Sequence, residues 1–456
     1  MNRIASRTGI CLVVCLLLLT GFGLFVMEFF TQSGSWVMRP GSPHIYHGDN
    51  IGCGTVVDRD GNLLLDLGDG RTYVPDELLR MATVHWLGDR NGSISIPVLS
   101  HYADAMAGYD GFNGLYAYGG VGGEAKITLS SYVQRTALEA LAGQKGTVAV
   151  YNYQTGELIC AVTTPTFDPD NVPVLTPENE AQYEGMYLNR FIQSLYTPGS
   201  IFKIVTLAAA LEELPDIRQQ SFTCEGKLSY GPDEIVCTRT HGTQDLRTAF
   251  RNSCNCAFAQ IAGMLGGEKL QAYGEKFGIT KPVTFDGITT AQGQFTPSGA
   301  ADVNVAWSAI GQYTDLINPC SFLTFVGAIA AGGRGTNPYL VEGIQVGSKE
   351  TYSAATQFGD LLMSRETAAT IREFMRFNVQ DAYGDENFPG LSVCAKTGTA
   401  EVGGEKKPNA MLTGFVADGS LPLAFVVCVE DGGYGSSVCI PIASKILSAC
   451  KTALNG

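Results

Sequence analysis

Five segments with strand character stand in two groups, separated by a long stretch of helical patterns. The first group, "TVAVYNYQTGELICAVTTP", reads as strand, Gln-Thr-Gly turn, strand. The second holds "LSVCAKTGTAEV", "AMLTGFVAD" and "LAFVVCVE". Two strands early and three late, with helices between, predict one antiparallel sheet completed by both ends of the segment. Around it the texture is helical: Val133, Ala137, Leu138 and Leu141 recur at helical spacing, and "PIASKILSACKTAL" closes the chain. The predicted class is therefore α+β, a five-stranded antiparallel sheet flanked by helices. This layout puts Lys396 on a strand and Ser200 at the start of a helix that can pack against it.

A second constraint comes from "ICLVVCLLLLTGFGLFVM", residues 10 to 27, which carries no charge. About 20 apolar residues span a bilayer, and this run continued to Phe30 suffices despite Glu28. Arg3 and Arg7 precede it, which predicts a cytoplasmic N-terminus and an extracellular remainder. A cleaved signal peptide is the competing reading. No Ala-x-Ala-like site follows closely, and the run is long for such a peptide, so an uncleaved anchor is expected. The predicted organisation is a short tail over residues 1–8 and an anchor over 9–30. A small mixed pedestal over 31–125 and a main domain over 126–456 complete it.

The formal net charge of −14 excludes a typical nucleic-acid binder, which needs a basic face for phosphates. The 13 cysteines include Cys11 and Cys15 inside the apolar run, and the rest are too sparse for a disulfide scaffold. Cys224 and Cys237 flank "CEGKLSYGPDEIVC" and either bridge or remain free buried thiols. Cys254 and Cys256 in "SCNC" show no second ligand pair, and His44 and His47 likewise lack partners. No metal or other cofactor is expected on these grounds.

The chemistry starts at "YTPGSIFKIVTLAAALEEL", residues 196 to 214. From Ile201 to Leu211 the only charge is Lys203, whose sole polar neighbour there is Thr206. On a helix, positions i and i+3 share a face, so Lys203 can point at the Ser200 hydroxyl. Apolar surroundings lower a lysine's pKa, which suits it to act as a neutral general base for a serine nucleophile. The nearby helix N-terminus favours a developing oxyanion. Alone, a Ser-x-x-Lys tetrapeptide arises readily by chance. Here Ser253-Cys254-Asn255 and Lys396-Thr397-Gly398-Thr399 follow in order. The triple Ser-x-x-Lys, Ser-x-Asn, Lys-Thr-Gly is the signature of penicillin-recognising serine enzymes.

On these motifs the chain resembles the class B penicillin-binding proteins, peptidoglycan D,D-transpeptidases, of the type with a short pedestal. "GTVVDRDGN", "GELICAVTTPTFDPDN", "THGTQDL" and "SAIGQ" are similar to supporting segments of that family. The resemblance implies that Ser200 attacks the penultimate D-alanine carbonyl of a stem peptide and that Lys203 takes its proton. It implies a proton relay through Ser253 and an amide contact to substrate from Asn255. Lys396 keeps the site positive, Thr397 and Thr399 receive the terminal carboxylate, and Gly398 lies between them. Backbone N–H groups of Ser200 and Thr399 form the oxyanion hole. A β-lactam acylates Ser200 as a dead-end substrate, and a SEDS-family glycosyltransferase is the expected membrane partner.

The rivals are a D,D-carboxypeptidase or β-lactamase, in which water accepts the acyl group, and a non-catalytic sensor or scaffold. The anchor and pedestal weigh against the hydrolases. A sensor would need more spans and a cytoplasmic region, and a scaffold should have lost a motif residue. The chain departs from the family at Cys254, in "GQYTDLINPC" and in "PNAMLTGF", which lacks an aromatic before the next strand.

Overall fold

The computed structural model describes residues 2–37, 46–47, 50–68, 70–95, 97–107, 122–404 and 406–455. The uncharged run forms part of one helix, Asn2–Val37. Its segment Arg7–Ser33 is long and apolar enough to cross a membrane, and its large side chains stand exposed. The closing helix Gly435–Asn455 is similarly long, but nearly half of its apolar window is buried. It packs into a core rather than facing outward.

The five expected strands form one sheet. Its order is Val393–Ala400, Asn409–Val416, Leu423–Val429, Gly146–Asn152, Leu158–Thr164, and every neighbouring pair is antiparallel. The three middle strands are buried along almost their whole length because both faces are covered. Alternation assigns the side chains. Val148, Val150, Val393, Ala395, Phe425 and Val427 pack with Ile446 and Leu447 of the closing helix and with Val133 and Ala137 of helix Ser131–Leu141. Ala149, Tyr151, Cys394, Ala424 and Val426 turn to the opposite face, toward Phe202, Phe322 and Val326. A strand's period of two thus aims Lys396, two residues after Cys394, at the face that packs against Phe202 and Phe322.

A second sheet, of shorter strands, has six in the order Lys349–Ser353, Val341–Val346, Glu124–Ile127, Thr55–Val57, Leu63–Asp66, Thr72–Tyr73. Only the pair Thr55–Val57 with Glu124–Ile127 is parallel. Two of its strands arrive from residues 341–353, so the module is built from separated parts of the chain. Its core residues Val56, Leu65 and Ile127 belong to the same apolar cluster as Tyr151 and Phe202. The turn in "GTVVDRDGN" is closed by Asp58, whose carboxylate accepts from the Asp60 and Asn62 amides at 2.9 and 2.8 Å. The same carboxylate accepts from Ser131 at the start of the neighbouring helix. Gln134 adds a second tie, donating to Ala82 O at 2.9 Å and accepting from Ala161 N at 2.7 Å. His44 lies outside the described residues.

Candidate active site

Ser200 does not begin an α-helix directly. It sits in a 3-10 turn, Gly199–Phe202, that feeds the α-helix Lys203–Glu213. With about three residues per turn, a 3-10 turn stacks positions i and i+3 one above the other. The expected i, i+3 relation therefore holds more tightly than an α-helix would give, and Lys203 Nζ lies 2.8 Å from Ser200 Oγ. Gly199 makes the turn possible, with φ +54 and its N–H donating to Gly311 O at 2.8 Å. A Cβ at Gly199 would stand 2.4 Å from Thr399 O, and one at Gly311 2.1 Å from Gly199 O. Thus the serine turn is wedged between the Lys396 strand and the "SAIGQ" segment, with backbone on both sides. Thr206 is not part of the site, because its hydroxyl donates to Ala309 O at 2.7 Å.

Lys203 is fully buried. Besides Ser200 it reaches Asn255 Oδ1 at 2.7 Å, Ser253 O at 2.9 Å and Ser253 Oγ at 3.2 Å. Burial disfavours the charged amine and brings its pKa down to about 8. Phe258 covers it from one side, its ring centroid 5.9 Å from Nζ. A neutral lysine has two N–H donors and one lone pair. Asn255 Oδ1 and Ser253 O can only accept, so they take both donors. The lone pair is then left for a hydroxyl proton.

Ser253 Oγ bridges the two lysines, 3.2 Å from Lys203 Nζ and 3.0 Å from Lys396 Nζ. Ser253 holds a left-handed φ of +51, uncommon for a residue with a Cβ. Asn255 opens helix Asn255–Leu265 and spends one amide proton on Val236 O at 2.8 Å. Lys396 is fully buried as well; burial and the Lys203 charge hold its pKa well below the ordinary lysine value. It donates to Thr397 O at 3.1 Å.

The expected site residues Ser200, Lys203, Ser253, Asn255 and Lys396 thus share one network. Gly398 lets its strand touch the serine turn, since a Cβ there would meet Pro198 O and Ile201 Cγ2 at 3.0 Å. Thr397 has a partner that sequence reasoning did not anticipate. Tyr383 Oη accepts from Thr397 N at 3.1 Å and exchanges a hydrogen bond with Thr397 Oγ1, also at 3.1 Å. Tyr383 ends a π-helical turn, Val379–Tyr383, for which the sequence offers no signal. Thr399 Oγ1 receives a long contact from Gly435 N at 3.4 Å.

One expectation about cysteines is corrected. Cys254 does have companion ligands, because the chain folds Cys224, Cys237 and His241 against it. Looking for a second pair near "SCNC" missed them, since they come from the hairpin region 13 to 30 residues earlier. The spacing Cys237-x-x-x-His241 was the available signal. Cys224 and Cys237 stand as free thiols. Contact with the Cys254 thiol and hydrogen bonds from the Cys256 and Asn255 backbone N–H groups hold the Cys237 thiol below its ordinary pKa.

Comparison with known proteins identifies the relatives of the whole chain. The peptidoglycan D,D-transpeptidase PbpA of Mycolicibacterium smegmatis is 28% identical over 358 residues, 72% of each chain. The stage V sporulation protein D of Bacillus subtilis is 29% identical over 347 residues, 71% of this chain and 53% of that protein. Among solved structures, a D,D-transpeptidase domain from Eggerthella lenta superimposes with a TM-score of 0.75 at 25% identity, covering 88% of this chain and 98% of that one. Penicillin-binding protein A of M. tuberculosis, as its ceftriaxone acyl-enzyme complex, superimposes with a TM-score of 0.75 at 24% identity, covering 87% and 98%. A sequence model of the penicillin binding protein transpeptidase domain matches residues 146–448, and with that match the chain belongs to the class B penicillin-binding proteins.

Proposed function

We propose that this protein cross-links peptidoglycan stem peptides as a serine D,D-transpeptidase, with Ser200 as nucleophile. Lys203, neutral, takes the Ser200 proton as Oγ attacks the penultimate D-alanine carbonyl. The tetrahedral oxyanion is received by backbone N–H groups of Ser200 and Thr399; one such donor is typically worth about 100- to 1000-fold in rate. Collapse breaks the amide bond, and the departing D-alanine amine takes a proton delivered through Ser253, which touches both lysines. The acyl-enzyme is then attacked by an amine of a neighbouring stem peptide, and Ser200 regains its proton through the same lysine. Lys396, with the Thr397 and Thr399 hydroxyls, receives the terminal carboxylate. A β-lactam enters by the same attack and stays bound to Ser200.

The observation that carries this reading is the pairing of Ser200 with a fully buried lysine whose two N–H donors already have acceptors. The relatives described as peptidoglycan D,D-transpeptidases support it, as does the acyl-enzyme formed by the mycobacterial neighbour. The helix Asn2–Val37 serves as a single membrane anchor with its N-terminus inside and the catalytic domain outside. Residues 31–125 contribute most of the pedestal, and a polytopic SEDS-family glycosyltransferase is the membrane partner. Labelling the full-length protein with a fluorescent penicillin tests the acyl-transfer step. The native chain should become covalently fluorescent and the Ser200→Ala variant should not. Equal labelling of both, or none of either, refutes it.

A further inference from the structure

Strand Val393–Ala400 is an edge of the five-stranded sheet, so alternate residues turn their backbone N–H and C=O groups away from it. Side chains from one neighbouring segment take these groups up in order. Arg376 donates to Val393 O at 3.2 Å, Asn378 to Ala395 O at 3.0 Å, and Tyr383 Oη accepts from Thr397 N at 3.1 Å. Arg376 and Asn378 belong to helix Arg365–Asn378, and Tyr383 ends the π-helical turn that continues it. Beyond Tyr383 the chain turns back. Gly384 takes a left-handed φ of +84, and Asp385 returns to Arg376, which donates to its carboxylate at 2.5 and 2.7 Å. By the same alternation Thr399 is the next residue to face this edge. It stands beside the Ser200 turn, where a Cβ at Gly199 would lie 2.4 Å from Thr399 O.

Further contacts hold Tyr383 in place. Arg251 stands two residues before Ser253, and its Nε lies 2.5 Å from Asp381 Oδ2. Its Nη2 donates to Asp381 O at 3.2 Å, and Asn387 Nδ2 donates to Tyr383 O at 2.6 Å. Ser253 meets Lys396 across the active-site groove. The π-helical turn therefore ties one side of the groove to the other, through Arg251 and through Thr397, and places the partly exposed Tyr383 ring at the Thr397 end. The hydroxyl has a second use. It accepts from Thr397 N and can give its own proton to Thr397 Oγ1 at 3.1 Å, which leaves the threonine proton for a carboxylate in the groove.

Strand geometry sets the length of the space left open. Residues 397 and 399 are two steps of about 3.4 Å apart, about 7 Å along the edge. On the acyl-transfer reading the scissile carbonyl oxygen lies at Thr399 N, and the leaving D-alanine extends toward Thr397. That length takes one residue with its terminal carboxylate, and a second residue would run into the Tyr383 ring. We propose that Tyr383, latched by Arg251 and Asp381, is the end wall of the substrate groove and restricts the leaving group to a single residue. Tyr383 is a specificity-determining residue in this role, and Arg251 and Asp381 are positioning residues that act through it. The specificity rests on the acyl-transfer reading; the latch does not.

The test uses the full-length chain in detergent with two thioesters of an N-acyl-D-alanine. One has thiolactate with a free carboxylate as its leaving group; in the other, glycine is joined to that carboxyl group. The native chain should release thiol at least about 100-fold faster from the shorter thioester. Tyr383→Ala should speed release from the longer one by about tenfold, a gain that mere loss of structure does not produce. Tyr383→Phe keeps the ring and should leave the longer thioester as slow as in the native chain. Arg251→Ala and Asp381→Ala should gain on the longer thioester too, while Asp381→Glu, which keeps the ion pair, should not. Independently of any acylation, amide hydrogen exchange in the peptide containing Thr397 should quicken at least about tenfold in Tyr383→Ala and in Arg251→Ala. Equal native rates on both thioesters, no gain in Tyr383→Ala, or the same gain in Tyr383→Phe overturns the wall. Unchanged exchange in Arg251→Ala overturns the latch. A native chain that cleaves neither thioester and takes no fluorescent penicillin overturns the acyl-transfer reading and the specificity with it, while exchange still reads the latch.

Discussion

The protonation state of Lys203 makes the acylation rate a function of pH in a calculable way. Its pKa is drawn down to about 8 by burial. The neutral fraction is then about 1% at pH 6, about 9% at pH 7, about half at pH 8 and about 90% at pH 9. The lysine must be neutral to take the serine proton, so the sign is fixed: the rate rises with pH. It should gain about 50-fold between pH 6 and pH 8, and less than twofold more by pH 9. Lys396 faces the same Ser253 hydroxyl, so the observed midpoint belongs to the pair of amines. The assay is the second-order rate of acylation of the full-length protein by a fluorescent penicillin, with Ser200→Ala subtracted as background. A profile flat from pH 6 to pH 9 would show that Lys203 is not the proton acceptor. A rate still climbing tenfold per pH unit above pH 9 would show that burial does not lower the lysine as its surroundings require.

Two substitutions probe the frame around this lysine. Gly199→Ala places a Cβ against Thr399 O in a left-handed backbone. It should lower the melting temperature and cut acylation by about 100-fold, because Ser200 moves with the turn. An unchanged rate would mean that the wedge between turn and strand is not needed. Tyr383→Phe removes the hydroxyl that holds Thr397 N and Oγ1, leaving a donor short of its partner at a cost of about 1–3 kcal/mol. Acylation efficiency should fall about tenfold, with a larger effect on KM than on kcat if Thr397 receives the substrate carboxylate. An effect on kcat alone would move that carboxylate elsewhere.

What could be read from the chain depended on how local the governing physics is. The five strands were legible because period-two alternation and turn residues lie within each segment, and the sheet assembled them as expected. Ser200, Lys203, Ser253, Asn255 and Lys396 were legible because each sits in a short motif of fixed spacing. The two strands at residues 341–353 were not, since their role is to extend a sheet begun almost 300 residues earlier. Nor was Tyr383, which reaches Thr397 only because a π-helical turn places it there. The cysteine cluster escaped for the same reason, its four ligands being delivered by separate elements.

The sequence by itself determined which groups exist and in what order. It set an uncharged run long enough to cross a membrane, a serine three residues before a lysine, and a second lysine on a strand. Tertiary structure decided what those groups can do. An amine on a short flexible stem is an ordinary cation in water. On the proposed mechanism, Lys203 can serve as a base only because the Lys396 strand, the helix behind Ser253 and Phe258 close around it. Together they remove its water and leave two acceptors for its two protons. Desolvation depends on everything packed against a group, and that is a property of the assembled fold rather than of any stretch of chain.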